Sequence, residues 1–370
     1  MKVAVVLGTR PEIIKLAPVI KELERNSIDF FILHTGQHYT YSMDRVFFEQ
    51  LDLPDPKYNL EAGSGTHAEQ TARMLVGIER VLVKEQPDVV VVQGDTNTAL
   101  AGALAAAKLQ VSVAHVEAGL RSFDARMPEE INRTIVDHVS TLLFAPTQVS
   151  KRNLEREGIT EGVYVTGNTI VDAVQRYAPL VDGAELPVNP PSEYALLTLH
   201  RQENVDNPQR LANALKGVGM VAEKLGLPVL FPAHPRTRVR MSEFGIKAPK
   251  GVAVLEPLGY FQFLKLLKGA KVVLTDSGGV QEEACTLKVP CVTLRHTTER
   301  PETVYAGANA IAGLIPERVL EKTLEMVNKP RNWPNPLGDG KAAEKIVKIL
   351  LEEVAENGND AYEIITSAIL

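Results

Sequence analysis

The chain is poor in cysteine: its 370 residues hold only Cys285 and Cys291. They form no Cys-x-x-Cys pair and no disulfide framework, which fits a reducing compartment, and both read as small buried hydrophobes. No apolar run approaches the roughly 18 residues needed to cross a bilayer. The apolar opening, residues 1–8, is a strand too short for a signal-peptide core. The expected location is therefore the cytoplasm, without membrane contact. A basic excess is missing too, since the formal net charge is -6. That argues against a general nucleic-acid binder, although a local Arg/Lys cluster would serve an anionic small ligand. Two nucleotide signatures are absent, G-x-G-x-x-G and G-x-x-x-x-G-K-[ST], so nicotinamide cofactors and NTP hydrolysis lose support. His34 and His38 are four apart, but Gly36 lies between them in a loop. That spacing makes a metal pair only on a helix. No metal and no cofactor are expected.

What is present is a soluble globular composition, 45% hydrophobic and 23% charged, at a length that suggests two domains. Strand-like runs fall at residues 3–7, 30–34, 89–92, 111–116, 142–145 and 163–166. Helical patterns lie between them, as at 13–23, 68–83 and 100–108. The strands are continuous Val/Ile/Leu runs rather than alternating ones, which indicates burial on both faces. Alternation of strand and helix then predicts a doubly wound parallel sheet. The rhythm breaks at the polar, Pro-rich stretch 182–192, a natural linker. It then restarts, with strands expected at 195–199, 229–231, 252–255, 272–274 and 291–294 and helices at 209–225, 261–267 and 279–287. The expectation is two Rossmann-type α/β domains, 1–180 and 181–355, with a cleft between them. The tail beyond Lys341 reads as a long helix and a second short one, with 356–370 placed back on the first domain.

The chemistry is expected at the carboxyl edges of these sheets, where loops carry ligands. Asp95 follows the run 89–92, Glu117 follows 111–116, and Glu129 follows Met127-Pro128 at a helix start. Clustered carboxylates are the usual equipment for moving protons. Arg10 and Lys15 belong to the loop and helix after the first strand. In the second half, Asp276-Ser277-Gly278-Gly279 turns from a strand into a helix. Glycines there let a ligand approach, and helix-start N–H groups favour an anion, though Ser277 could equally be a plain N-cap. Glu283, one turn on, could accept from ribose hydroxyls or be a solvated charge. Arg300 could fork onto a diphosphate or pair with Glu299 or Glu302. His200 ends a strand and can donate to a phosphate or leaving group. His234 ends the next strand, in a supporting place.

Taken together, these segments resemble the non-hydrolysing UDP-N-acetylglucosamine 2-epimerases. The matching stretches are Gly8-Thr9-Arg10-Pro11-Glu12, Gly94-Asp95-Thr96, His115-Val116-Glu117-Ala118-Gly119-Leu120-Arg121, Pro128-Glu129-Glu130-Ile131-Asn132-Arg133 and Gly167-Asn168-Thr169. The Asp276 to Glu283 segment and Thr298-Glu299-Arg300-Pro301-Glu302 complete them, in order over nearly the whole chain. The resemblance implies a GT-B-like fold, a homodimer, and interconversion of UDP-N-acetylglucosamine and UDP-N-acetylmannosamine through UDP elimination to a 2-acetamidoglucal. It implies that Arg10, Lys15, His200, Phe263, Ser277, Gly278, Gly279, Glu283 and Arg300 hold UDP. Asp95, Glu117 and Glu129 would move protons, with His200 counted among the catalytic groups. Crowding of these acids should raise at least one pKa. The run Gln37-His38-Tyr39-Thr40-Tyr41-Ser42-Met43-Asp44-Arg45-Val46 departs from the Arg-Glu-Met-Leu-Asp pattern of many bacterial members. Activation by a second substrate molecule is therefore not carried over. Related epimerases act on UDP-2,3-diacetamido-glucuronic acid, and others hydrolyse the sugar free. A GT-B glycosyltransferase would share the fold but needs an acceptor and usually one base. A nucleotide-sugar sensor would not need three intact acids.

Overall fold

The computed structural model describes residues 1–36 and 41–367. Gln37, His38, Tyr39 and Thr40 thus lie outside the described residues. In chain order the strands are β1 (Lys2–Leu7), β2 (Asp29–His34), β3 (Tyr58–Asn59), β4 (Val89–Gln93), β5 (Ser112–Val116), β6 (Leu142–Ala145), β7 (Val163–Val165), β8 (Ala195–Thr198), β9 (Val229–Pro232), β10 (Val252–Leu255), β11 (Val272–Thr275), β12 (Cys291–Thr293) and β13 (Asn309–Ile311). The helices are α1 (Arg10–Arg25), α2 (Tyr41–Gln50), α3 (His67–Glu85), α4 (Asn97–Lys108), α5 (Pro128–Val139), α6 (Gln148–Arg156), α7 (Thr169–Tyr177), α8 (Gln202–Val205), α9 (Pro208–Leu225), α10 (Pro235–Glu243), α11 (Tyr260–Gly269), α12 (Gly278–Thr286), α13 (Pro301–Tyr305), α14 (Pro316–Val327) and α15 (Ala342–Ser367).

Two compact units result, one made of Met1–Ala173 with the chain from Gly338 onward, the other of Val174–Leu337. The first holds a seven-stranded sheet in the order β3-β2-β1-β4-β5-β6-β7, the second a six-stranded sheet in the order β10-β9-β8-β11-β12-β13. Every strand pairing in both is parallel. The doubly wound parallel architecture is thus the expected one. Val3 to Leu7 of β1 and Val89 to Val92 of β4 are wholly buried, as helices on both faces of a parallel sheet require. Helix α4 lies close against them because it is built of Ala and Gly. A Cβ on Gly102 would come within 2.9 Å of Val92 Cγ1.

The element boundaries differ from expectation in physically instructive ways. Helix α1 begins at Arg10 rather than residue 13, because Thr9 takes the extended N-cap conformation and Pro11 suits the first turn. Helix α4 begins three residues early for a similar reason: the Thr96 hydroxyl caps the Ala99 N–H at 3.1 Å. The short edge strands β3 and β13, and the polar helix α10, carry too little apolar pattern to be seen in sequence.

The tail is one continuous helix, α15, rather than two. The division into units also falls elsewhere than 180 and 355. The chain rejoins the first unit at Gly338, well before 356. Asp172 explains the join, since its Oδ1 accepts the Ala343 N–H at 2.9 Å and Ala343, Ile346, Val347 and Leu350 are buried. Among the described residues no helix is long and apolar enough to cross a membrane.

Candidate active site

In a doubly wound sheet, ligands bind beyond the carboxyl ends of the strands where the winding reverses. In the first unit that point lies between β1 and β4, in the second between β8 and β11. Arg10 and Asp95 follow β1 and β4 at the first point, and His200 and Ser277 follow β8 and β11 at the second, whereas Glu117 follows β5 and Arg300 follows β12.

At the first, β1 runs into Gly8-Thr9 and β4 into Gly94-Asp95-Thr96. Gly8 has no room for a Cβ, which would fall 1.8 Å from Thr35 Oγ1. Asp95 is about one-quarter exposed, and its Oδ2 accepts from Arg133 Nη2 at 2.5 Å. The other arm of Arg133 donates to Glu130 at 2.6 Å. Glu130 also accepts from the N–H groups of Ser122 and Phe123 and from the Ser122 hydroxyl. It thereby fixes the loop leading into α5. Asn132 completes the set by donating to the Asp95 carbonyl at 2.9 Å.

Glu117, just past β5, is buried and has a left-handed backbone, φ 73°. A side-chain-bearing residue there costs about 1–2 kcal/mol, and such strain concentrates at functional sites. Its carboxylate is ion-paired with Lys15, and Asn168 donates to it at 3.3 Å. Lys15 and Glu117 are both buried, so the pair is a desolvated one, and Lys15 serves the carboxylate whatever else it does. Arg10, the first residue of α1, lies over the Phe47 ring at 5.1 Å. Glu129 is half-buried in the first turn of α5, next to the better-anchored Glu130.

A fourth carboxyl sits at this edge, and sequence reasoning did not select it. Glu12 is fully buried. Its Oε2 accepts from the Gly8 N–H at 3.0 Å and the Thr9 hydroxyl at 2.8 Å, and its Oε1 from the Thr96 hydroxyl at 2.6 Å. Burial pushes it up to about 7, against the hydrogen bonds from Thr96, Thr9 and Gly8 that favour its charged form. The cause at Glu12 is burial, not the crowding of acids. Glu12 ties the β1 turn to the β4 turn that carries Asp95.

At the second point, buried Asp276 organises the loop after β8. It accepts from the backbone N–H groups of His200 (3.1 Å) and Arg201 (3.0 Å) and from Asn204 Nδ2 (3.1 Å). The His200 ring is thereby held at the strand end, 40% exposed, with the His234 ring 6.1 Å away. His234 caps α10 by accepting the Arg236 N–H on Nδ1 at 3.2 Å. Its own N–H is therefore on Nε2.

Ser277 is the N-cap residue of α12, but its side chain makes no cap hydrogen bond. The plain-cap explanation for that serine therefore fails. Gly278 has a steric reason: a Cβ would fall 2.5 Å from Arg300 Nη1. Among the described residues, its neighbours and its own helix backbone apart, nothing lies within 4 Å of a Cβ on Gly279, which leaves open space at that position of the α12 N-terminus. Arg300 is buried against that turn, with Nε on Glu282 at 2.6 Å and Nη1 on Glu299 at 3.0 Å. The expected pairing with Glu299 is present, and Glu282 adds to it. Arg295 forks onto Glu299 as well, at 3.0 and 2.8 Å. Glu283 is buried one turn into α12. Burial, and then the charge of Glu283 and its hydrogen bond, push the Tyr260 phenol well above its usual range. Phe263, on α11, is half-buried. Cys285 and Cys291 are buried free thiols, and His34 is a buried strand residue with Nδ1 3.3 Å from Asn59 Oδ1.

The family model for UDP-N-acetylglucosamine 2-epimerase matches residues 21–351. A UDP-N-acetylglucosamine 2-epimerase of Methanocaldococcus jannaschii is 56% identical over 95% of this chain and 99% of its own length. A crystal structure of the Methanocaldococcus jannaschii enzyme in complex with UDP-GlcNAc and UDP superposes with a TM-score of 0.90 at 55% identity, over 95% of this chain and all of that one. A UDP-2,3-diacetamido-2,3-dideoxy-D-glucuronate 2-epimerase of Pseudomonas aeruginosa is 42% identical over 95% of this chain and 99% of its own.

Proposed function

Because this chain belongs to the UDP-N-acetylglucosamine 2-epimerase family, we propose that it interconverts UDP-N-acetylglucosamine and UDP-N-acetylmannosamine by elimination and re-addition of UDP. The observation that carries this reading is the set of carboxylates after β4 and β5: Asp95 is held on Arg133 and Glu117 on Lys15, with Glu129 in the first turn of α5. Inverting a carbon by proton removal and return needs at least two acids.

The hydrogen on C2 of the sugar is not acidic enough for easy removal. Breaking the anomeric C1–O bond solves this. A carboxylate takes the C2 proton, the C–H electrons form the C1=C2 bond of a 2-acetamidoglucal, and UDP departs with the C1–O pair. A second acid returns a proton to C2 from the other face while a UDP oxygen re-bonds to C1. Atoms and charge balance without a cofactor.

The groups around β8, β11 and β12 suit the leaving diphosphate. The open turn at Ser277, Gly278 and Gly279 presents helix-start N–H groups to phosphate. Arg300 stabilises the charge that accumulates on UDP, and His200 donates to it. Glu283 and Phe263 would hold the uridine, and Arg10 would contribute a further cation. Lys15 would hold the Glu117 carboxylate as its ion-pair partner beside any phosphate contact.

A second reading is favoured by the 42% identity to the diacetamido-uronate epimerase, since the two substrates share the UDP group and the C2 chemistry. Incubation in deuterium oxide with each UDP-sugar decides between them. Epimerisation puts deuterium on C2 of both epimers without any acceptor. Absence of exchange with either sugar sinks both readings. Accumulation of free N-acetylmannosamine and UDP would make the enzyme a hydrolysing one.

Arg300→Lys tests the diphosphate assignment while keeping a cation beside Glu282 and Glu299. Replacing the guanidinium by a point charge should weaken UDP binding by about 10-fold, measured by calorimetry. Unchanged affinity would remove Arg300 from the phosphate site.

A further inference from the structure

His115 lies on β5, between the two acid-bearing turns, and is wholly buried. Both of its ring nitrogens have partners. Nε2 is 2.8 Å from the Gly94 carbonyl oxygen and Nδ1 is 2.7 Å from Asp137 Oδ1. A carbonyl oxygen can only accept, so Nε2 donates. Asp137 also meets Arg121, which lies 2.7 Å from its Oδ2 and 2.6 Å from Glu157; burial pushes Asp137 up, but His115 and then Arg121 outweigh this and leave it below the usual range.

The two contacts of this ring end on the two turns that matter. Gly94 immediately precedes Asp95. Asp137 accepts the Gly119 N–H at 3.2 Å, two residues beyond Glu117. Each turn needs to be held. Gly94, Glu117 and Gly119 all have left-handed backbones, and a Cβ on Gly119 would fall 2.3 Å from the Ser150 carbonyl oxygen. The Gly94 N–H also donates to the Val116 carbonyl at 3.0 Å, so the turns are joined directly as well as through the ring.

We propose that His115 is a positioning residue: its ring, bonded at both nitrogens, locks the Asp95 turn and, with Asp137, the Glu117 turn in one mutual geometry. It touches no reacting atom itself. The proposal rests on the epimerase reading above. Its alternative is a purely structural role, in which the ring merely satisfies buried polar groups.

Two substitutions dissect the clamp. Asn in place of His115 puts an amide N–H₂ near the position of Nδ1 and spares the Asp137 contact. Gln puts one near Nε2 and spares the Gly94 contact. Each of His115→Asn and His115→Gln should lower kcat and the C2 deuterium-exchange rate by roughly 10-fold to 10²-fold, as loss of near-attack geometry does. KM for the UDP-sugar and Kd for UDP should stay within about twofold, because Ser277, Gly278, Gly279, Glu283 and Arg300 are remote in sequence and belong with another sheet. Folding is followed by thermal melts of the same samples. A kcat close to wild type in a folded variant, or a loss that only tracks the unfolded fraction, overturns the proposal. Nitrogen-15 spectra of the wild-type imidazole at the assay pH supply a measurement that no misfolded variant can obscure. The Nε2–H held on the Gly94 carbonyl is expected to be protected from solvent exchange, and a freely exchanging one overturns it. Wild-type exchange at C2 is measured first, so failure of the underlying epimerase reading is seen separately.

Discussion

Asp95→Asn and Glu117→Gln should each lower turnover by roughly 10²-fold or more, the usual scale for removing a general acid–base group. The structure says how to make that experiment clean. An Asn at 95 can still accept from Arg133 through its amide oxygen, and Glu130 remains as that arginine's counter-charge. Asp95→Asn should therefore fold normally and bind UDP normally. Glu117→Gln is different, because it leaves buried Lys15 without its carboxylate, and stranding one member of a buried pair costs about 3–5 kcal/mol. The double variant Lys15→Met with Glu117→Gln removes both charges and should recover much of that stability without recovering turnover. Near wild-type turnover in either folded single variant would take that acid out of the mechanism.

Glu12→Gln should change stability in a way that reverses the usual expectation for removing a charge. Folded Glu12 keeps its proton to about pH 7, whereas the unfolded carboxyl loses it near 4.5. Between those values the folded state binds more protons, so stability falls as pH rises. The contribution is fully present below pH 4.5 and lost on passing through pH 7, where a buried carboxylate must be carried. The difference amounts to about 3 kcal/mol. Glutamine keeps the shape. Its carbonyl can accept from Gly8 and Thr9, and its amide can donate to the Thr96 oxygen that already accepts from Ala99. Urea melts should therefore find wild type and Glu12→Gln within about 1 kcal/mol of each other at pH 5, with the variant the more stable by about 3 kcal/mol at pH 8. A variant less stable than wild type at pH 8 would show that Glu12 carries a charge the fold needs.

The contrast between Asp95 and Glu12 shows where the sequence stops speaking. Asp95 and Glu117 could be picked out because unbroken apolar runs announce buried parallel strands, and the residue after such a run must lie at the edge. The same logic placed His200 and Ser277. Glu12 carries no such flag. It reads as an ordinary acid in the first turn of a helix, and its burial depends on Gly8, Thr9 and Thr96 converging on it, the last from 84 positions away. Glu129 and Glu130 are adjacent acids on one helix, and which of them faces the Arg133 network is decided only once the start of α5 is fixed by the loop before it. Helix α10 was missed because His234-Pro235-Arg236-Thr237-Arg238 offers charge rather than an apolar stripe. The tail was divided into two helices on local composition, whereas the backbone of α15 runs on past Gly358.

The split make-up of the first unit has a bearing on synthesis. Translation delivers residues 1–173 first, yet the segment that covers α1 and satisfies Asp172 arrives only after Gly338. The uninterrupted stretch Val174–Leu337 can finish while its elder neighbour still waits for a missing piece. A ribosome stalled at Leu337 would display every acid of the proton-moving set on a scaffold not yet closed, so the half of the molecule that is born first is the half that matures last.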